Sequence, residues 1–313
     1  MKRLLFIAII VSTLFFLLCF PRQAFRASAD GLELWFYTVL PSLLPFLILS
    51  DFLIHTGKIP ELLKYFAPFF RKCFGLSIYG AYAFCLGLFC GYPMGAKLTA
   101  DLLHEKKINQ NEANYLLTFS NNASPMFISS YILLNSLKIH GAALPTFGIL
   151  YLSSGITSMI FRIRFRRFSV KPYETENHEL SLRSSLGRLI DVSIMNGFET
   201  ITRLGGYIIL FSIGAAMIVQ ITGSGSLLSW ILPGIVEITT GIHQIAGSPL
   251  PFSVKYLLIL TVTSFGGIST IAQTKGMLSG TPLSISVYIM GKAVNTVCTF
   301  CLGILFLIIQ IIK

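Results

Sequence analysis

The sequence Cys90-Gly91-Tyr92-Pro93-Met94-Gly95-Ala96-Lys97 interrupts a long apolar run with glycines, a proline and a lysine. A related interruption, Phe265-Gly266-Gly267-Ile268-Ser269-Thr270, lies far downstream in another apolar run. Unpaired backbone groups are costly in lipid, so such breaks are tolerated only where protein or a water-filled cavity covers them. Two interrupted apolar segments in corresponding positions of two halves are typical of transporters with a binding site near the middle of the bilayer.

The composition places the 313-residue chain in the membrane class. Hydrophobic residues make up 54% of the sequence and charged residues 12%, and several apolar runs approach bilayer-spanning length. The formal net charge is +11, but Lys and Arg lie in short segments between apolar runs, which predicts membrane orientation and no nucleic-acid partner. The 6 cysteines lack metal-ligand spacing, and no hydrolase or nucleotide-binding motif occurs, so we expect no cofactor, no metal site and no enzymatic activity.

The apolar runs predict an all-α polytopic membrane protein with about six transmembrane helices. The first run, Leu4 to Phe20, is interpreted as a retained helix, and the alternative is a signal-peptide core, because Ala27-Ser28-Ala29 resembles a cleavage site. An aromatic and basic amphipathic segment is expected from Ile59 to Phe74. Further spans are expected over Leu34 to Ile54, Ala113 to Leu134, Ala142 to Phe161 and Ser284 to Ile312.

The basic segment Arg162 to Arg167 anchors the orientation, because Lys and Arg beside a membrane span are retained on the cytoplasmic side. Counting crossings back from this segment places Lys106 inside, and counting forward from the amino terminus places Lys72 and Cys73 inside as well. The segment from Leu76 to Leu103 must then enter and leave on one side. This predicts a re-entrant helical hairpin with its tip at Gly91.

Glycines in the second half of the chain recur at nearly the same spacing as in the first half. The matched pairs are Gly31 with Gly197, Gly57 with Gly223 and, after a short insertion, Gly91 with Gly267. Each unit carries an odd number of crossings, so the second is expected to be inverted, with a second re-entrant hairpin from about Phe252 to Gly280. The predicted domains are an N-terminal helix and outer loop (1–30), a first repeat (31–161), a cytoplasmic basic connector (162–196) and an inverted repeat (197–313).

The hairpin tips supply the first candidate substrate-binding residues. Glycines there allow close backbone approach, and the short helices after them expose N–H groups that favour an anion. The candidates are Gly91, Tyr92, Pro93, Gly95, Gly266, Gly267, Ser269 and Gln273. The alternative is that the glycines only allow close helix packing.

Polar residues inside apolar runs supply the other candidates. Lys97 is expected to provide counter-charge to a substrate, although pairing with Asp101 one helical turn later would make it structural. Asn121, Asn122 and Ser124 before Pro125, and Asn295 as the repeat counterpart of Asn121, either line the site or bond between helices. Lys292 is a further candidate, and Glu237 is interpreted as part of an outer interfacial helix.

Four motifs resemble the YlbJ family of sporulation integral membrane proteins (stage V sporulation protein SpoVV), in the gate-domain or nucleoside-recognition group related to concentrative nucleoside transporters. They are CGYPMGAKLTADL, NNASPMF, PGIVEITTGI and SFGGISTIAQTKG, the last followed by a helix with Lys292 and Asn295. The resemblance runs from about Gly31 to the end of the chain. It implies transport of dipicolinic acid toward the forespore, across the outer forespore membrane.

The expected substrate is therefore a small anionic heteroaromatic compound, moved by alternating access. Helix N-termini, lysines and amides with few carboxylates favour such a dianion over a neutral nucleoside. The alternatives are a nucleoside or other small-solute transporter, or a non-transporting membrane scaffold for spore-envelope assembly. The expected partners are the substrate and the lipid bilayer; the coupling ion stays open, and a homo-oligomer is compatible with the sequence.

Overall fold

The structure is a computed structural model that describes residues 2–56, 58–165, 186–223 and 225–312, and every regular element in these residues is helical. The helices of the first half are α1 (Lys2–Cys19), α2 (Pro21–Leu34), a π-helix (Trp35–Val39), α3 (Leu40–Thr56), α4 (Ile59–Leu63), α5 (Ala67–Cys73), α6 (Ile78–Cys90), α7 (Met94–His104), α8 (Gln110–Leu117), a second π-helix (Phe127–Ser136) and α9 (Ala143–Arg164). Those of the second half are α10 (Leu186–Thr222), α11 (Leu227–Val236), α12 (Ile238–Gly247), α13 (Phe252–Phe265), α14 (Gly267–Met277) and α15 (Ile285–Ile312).

Four segments are long and apolar enough to cross a membrane, and the number rises to 6 if two sharply bent pairs each count as one span. The four are Ala143–Arg164, Gly187–Thr222, Phe252–Met277 and Ile285–Ile309. Large apolar side chains remain exposed along these helices, as expected where lipid replaces water. The predicted class, an all-α polytopic membrane protein, is confirmed. Residues 166–185, which include most of the predicted cytoplasmic connector, and the matched glycine Gly57 lie outside the described residues.

The first predicted hairpin is present as α6 and α7, which pack side by side. Their 13 and 11 residues are each too short to cross a bilayer alone. Re-entry into the membrane stays a prediction. Ser77 caps the start of α6 by accepting a hydrogen bond from the Gly80 N–H, and Gly91 ends it with a φ of 87°, which a side chain would disfavour.

Both ends of this hairpin lie at one level of the molecule. Glu112 at the start of α8 accepts a 2.7 Å hydrogen bond from the Ser77 N–H at the start of α6. The Lys107 ammonium, just after α7, lies 5.8 Å from the centre of the Tyr79 ring. Arg162 Nη1 at the end of α9 donates to the Cys73 carbonyl at 2.6 Å. The predicted common side for Cys73 and Lys106 agrees with these contacts.

The second hairpin is not where the glycine pattern placed it. Helices α11 and α12, of 10 residues each, pack side by side and join at a sharp turn on Glu237, where φ is −142°. Gly234 and Gly241 face each other so closely that a Cβ on Gly241 would lie 2.0 Å from the Gly234 Cα. This short antiparallel pair, Leu227 to Gly247, is the counterpart of α6 and α7.

The predicted hairpin over Phe252 to Gly280 is corrected to an interrupted span. Helices α13 and α14 are joined without a sharp bend, and together they form a 26-residue apolar segment of the length needed to cross a bilayer. Gly266, with a φ of 83°, breaks the hydrogen-bond pattern but does not reverse the chain. The span formed by α8 and the second π-helix is interrupted in the same way between Leu117 and Phe127.

The order hairpin, interrupted span, long helix therefore occurs twice along the chain. The first series is α6–α7, then α8 with the second π-helix, then α9; the second is α11–α12, then α13 with α14, then α15. Within this order the first tip, at Gly91, corresponds to Glu237 and not to Gly267. Helices α4 and α5 have no equivalent in the second series. Around both series, α2 and α3 pack against α10.

Candidate functional site between the hairpin tips

The two hairpin tips and the two interrupted spans meet at one open cavity of about 90 Å³. The polar and tip residues in its wall are Thr38, Cys90, Gly91, Tyr92, Pro93, Ser124, Glu237, Thr239, Ser269, Thr270 and Gln273. Apolar side chains complete the wall, including Leu204 and Ile208 of α10. A cavity with an apolar wall and a few converging polar groups is the usual form of a small-molecule site.

Three helices begin at or beside this cavity. Helix α7 starts directly after Pro93, α12 after Glu237, and α14 carries Ser269 and Thr270 in its first turn. A helix N-terminus carries roughly half a positive charge on its free N–H groups. No side chain caps α7 or α14. The wall therefore presents partial positive charge from several directions.

Glu237 occupies one of these N-termini with a negative charge. The residue is 2% exposed. Its carboxylate accepts hydrogen bonds from the N–H groups of Thr239 at 3.1 Å and Thr240 at 2.8 Å, and from their hydroxyls at 2.5 and 3.0 Å. The interpretation of Glu237 as part of an outer interfacial helix is corrected: it is the buried cap of the second hairpin tip. Its side chain also adds a carboxylate to a cavity that was expected to hold few.

Lys292 lies directly behind the cavity wall. Its ammonium is buried and donates to two backbone carbonyls, Asn121 O at 2.6 Å and Ser264 O at 3.1 Å. Each carbonyl belongs to the interruption of a different span. The same ammonium is 5.2 Å from the centre of the Tyr92 ring, whose hydroxyl donates to Thr263 O at 3.1 Å. Lys292 thus joins both interruptions to the first hairpin tip.

The structure divides the predicted site residues into two groups. Those that line the cavity are Gly91, Tyr92, Pro93, Ser124, Ser269 and Gln273. Gly95, Asn121, Asn122, Gly266, Gly267 and Asn295 lie outside the wall, and Lys97 lines a different cavity.

The amides outside the wall make the interhelical bonds that were the alternative to lining a site. Asn121 Nδ2 donates to Thr274 and Tyr288 at 3.2 Å, and Asn122 Nδ2 donates to Ser154 at 3.1 Å. Asn295 Oδ1 accepts from Ser153 at 2.7 Å. Gly95 provides close approach, since a Cβ there would lie 2.2 Å from the Ser120 carbonyl.

Lys97 makes the predicted structural pair. Its ammonium is 2.6 Å from Asp101 Oδ1, one helical turn along α7, and both side chains are largely buried. Lys97 is therefore directed to the outer side of the hairpin and not toward the tip cavity.

Thr239 was not among the residues predicted from the sequence, Glu237 was interpreted as interfacial, and Lys292 was only a further candidate. The signal for the second tip was the spacing of Gly234 and Gly241 around Glu237, which parallels Gly87 and Gly95 around the first tip.

These features define a polytopic, all-helical integral membrane protein whose two short hairpins close around an internal cavity. The chain is similar to the sporulation integral membrane protein YlbJ of Bacillus subtilis (strain 168), with 28% identity over 309 residues, covering 88% of this chain and 76% of that protein. The chain is therefore YlbJ-like, as the motifs predicted. No family model and no solved structure matches it, so its relation to the gate-domain group stays a prediction.

Proposed function

We propose that this protein is a membrane transporter that takes a small anionic heteroaromatic solute, dipicolinic acid, into the cavity between the hairpin tips. Its place would be a sporulating cell, where it moves the solute toward the forespore across the outer forespore membrane. The observation that carries the proposal is that Pro93, directly before α7, and Ser269 and Thr270, in the first turn of α14, line one cavity inside a membrane protein, and that no side chain caps either helix. The similarity to a sporulation membrane protein supports the cellular setting.

The chemistry of the cavity suits a planar dicarboxylate. Glu237 illustrates how a helix N-terminus in this protein binds a carboxylate, through two N–H groups and two hydroxyls. The N-termini of α7 and α14 offer N–H groups of the same kind to the carboxylates of a substrate. Lys292 places its amine behind Tyr92, and the Tyr92 ring offers a surface for an aromatic solute. The proposed activity includes no covalent step.

Glu237 favours a second candidate, a neutral nucleoside or similar polyhydroxyl solute. A carboxylate in the wall repels a dianion but accepts hydrogen bonds from sugar hydroxyls. Replacement of Glu237 by Gln separates the two: uptake of a dianion should persist or rise, whereas uptake of a nucleoside should fall.

Uptake by purified protein in liposomes tests the proposal. Radiolabelled dipicolinate should accumulate, and an excess of unlabelled nucleoside should not compete. Gln273→Ala removes a buried amide from the wall, so loss of a hydrogen bond to a charged solute, about 1.5–3 kcal/mol, should raise the half-saturation concentration at least about tenfold. Gln220→Ala, the same change on an exposed face of α10, should leave uptake unaltered.

The outcomes decide among the three candidate functions. Nucleoside uptake without dipicolinate uptake would replace the proposed substrate by the second candidate. A protein that moves neither solute, and that supports spore formation equally well with Ala at Gln273, would act as the membrane scaffold.

A further inference from the structure

The two interrupted spans meet around the amino group of Lys292, at the middle of one of them. Ser264, whose carbonyl accepts from this group at 3.1 Å, lies halfway along the 26-residue segment Phe252–Met277. The other acceptor, the Asn121 carbonyl at 2.6 Å, lies in the non-helical stretch between α8 and the second π-helix. Lys292 is 3% exposed, so bulk water does not solvate its amino group.

Both acceptors are of the kind that binds cations in membrane proteins. Ser264 lies in the last turn of α13, where carbonyls lack a partner within the helix and the helix dipole is negative. The Thr263 carbonyl in the same turn accepts from the Tyr92 hydroxyl. Discontinuous spans of transporters coordinate coupling ions with such helix C-termini and with unwound backbone carbonyls. Asn121 supplies the unwound carbonyl in this protein.

The other groups around the nitrogen are also electron-rich. The centres of the Tyr92 and Tyr288 rings lie 5.2 and 6.0 Å from it, within the range of cation–π attraction. No carboxylate in the described residues forms an ion pair with Lys292. Neutral oxygens and rings favour a monovalent over a divalent cation, because Ca²⁺ and Mg²⁺ are bound largely through carboxylates.

Two further oxygens at the same interruptions lack a partner. Asn121 Oδ1 and Thr263 Oγ1 are buried and form no hydrogen bond within the part of the chain that the structure describes. Buried polar atoms are normally paired, so each of these oxygens calls for an explanation. One belongs to a residue whose carbonyl binds Lys292, and the other belongs to the neighbour of such a residue. Both are available to a cation that replaces the amino group.

We propose that the crossing of the two interruptions is a binding site for one monovalent cation and that the Lys292 side chain occupies this site as a tethered cation. An ammonium group is close in size to K⁺, whose hydration shell is replaced by backbone carbonyls in channel filters. One consequence rests on the proposed transport function. The filled site supports the Tyr92 ring, which lines the tip cavity, without a dissolved ion, so the solute moves independently of Na⁺ and K⁺.

Thermal unfolding of detergent-purified variants tests the site without any solute. Lys292→Ala removes the amino group and leaves space, so its unfolding midpoint should rise with KCl concentration relative to N-methylglucamine chloride at equal ionic strength. A K⁺ concentration of about ten times the Kd raises the ratio of folded to unfolded protein about elevenfold. Two control variants should not respond to K⁺: Lys292→Met fills the space without a charge, and Lys275→Ala removes a lysine from an exposed position on α14.

Equal midpoints of Lys292→Ala in K⁺ and in N-methylglucamine would overturn the proposal, and so would an equal K⁺ response of Lys292→Met. The wild-type protein provides a second measurement that does not depend on folding of the alanine variant. Its midpoint should be the same in NaCl, KCl and N-methylglucamine chloride at one ionic strength. A rise specific to Na⁺ or K⁺ would contradict a site that is already filled by Lys292.

Uptake into liposomes separates the cation site from the proposed substrate. Dipicolinate uptake by the wild-type protein should be unchanged when external Na⁺ is replaced by K⁺ or by N-methylglucamine, and a loss of uptake on either replacement would refute the consequence for transport. Absent dipicolinate uptake in all three salts, together with a K⁺ response of Lys292→Ala, would exclude only the proposed substrate and support the cation site.

Discussion

A methyl group at Gly87 is expected to disrupt the first hairpin. The Cβ of an alanine there would lie 2.2 Å from the Ser120 carbonyl oxygen and 2.9 Å from the Gly95 Cα. Both atoms belong to the backbone, so no flexible side chain can rotate away, and an ordinary contact distance requires a shift of more than about 1 Å. Ser120 lies in the interruption of the span that supports the tip, so the shift reaches the cavity wall.

The expected cost comes from this overlap. Inserting a methyl group into a closely packed interior typically costs about 1–3 kcal/mol, and contact with backbone on two sides places Gly87→Ala in the upper half of that range. A loss of about 2–3 kcal/mol lowers the ratio of folded to unfolded protein about 30- to 150-fold. The first hairpin should therefore be the least stable part of the Gly87→Ala variant.

Thermal unfolding of the detergent-purified protein measures this effect, with Gly155→Ala as the matched control. Gly155 lies within α9 and has no atom within 4 Å of the position of an added Cβ. Because alanine is favoured over glycine inside helices, the control should be neutral or up to about 1 kcal/mol more stable. Equal unfolding midpoints for Gly87→Ala and Gly155→Ala would refute the close packing on which the hairpin geometry depends.

The same geometry leads to three further predictions. Glu237→Gln should lower the free energy of unfolding by about 1 kcal/mol, as measured by denaturation, because the cap of α12 loses its charge; an unchanged value would exclude a capping role. Lys292→Met should lower thermal stability, because two backbone carbonyls inside the membrane lose their donor, and Lys275→Met at an exposed position is the control. Impermeant thiol reagents should label single cysteines at positions 73 and 106 from the same side of the membrane, and labelling from opposite sides would exclude a re-entrant hairpin.

Much of this architecture could be predicted from the sequence, because lipid imposes strict rules on chain length and backbone pairing. The all-helical fold class and the position of the first hairpin can be deduced from the lengths of the apolar runs, from the positions of the basic residues and from the interruption at Gly91. The pairing of Lys97 with Asp101 can be deduced from helical spacing alone. These are local patterns, and local patterns survive in the folded chain.

The position of the second hairpin could not be obtained from glycine matches. Gly266 and Gly91 both adopt positive φ, yet Gly266 interrupts a span and Gly91 ends α6 at the hairpin turn. Helix length does not separate the two cases, because α13 and α14 have 14 and 11 residues and α6 and α7 have 13 and 11. The difference is the direction of the chain after the break: α13 and α14 continue as one 26-residue segment, whereas α6 and α7 pack side by side. The contact between Gly234 and Gly241 is visible only in the folded structure. The same holds for the burial of Glu237, which in the sequence alone looks like a carboxylate at the membrane interface.

Lys292 binds backbone carbonyls of both interrupted spans, and the Asn121–Thr274 hydrogen bond links the same two spans directly. If one span slid past the other, the buried Lys292 ammonium would lose its two backbone acceptors. Gly291 also brings α15 into close contact with the Thr118 backbone, so the helix has no room to tilt. The pair must then travel with α15 as one stiff block. In the proposed transporter, opening and closing of the solute passage would fall to the surrounding helices α2, α3 and α10, because the Tyr92–Thr263 hydrogen bond holds the first hairpin to that block.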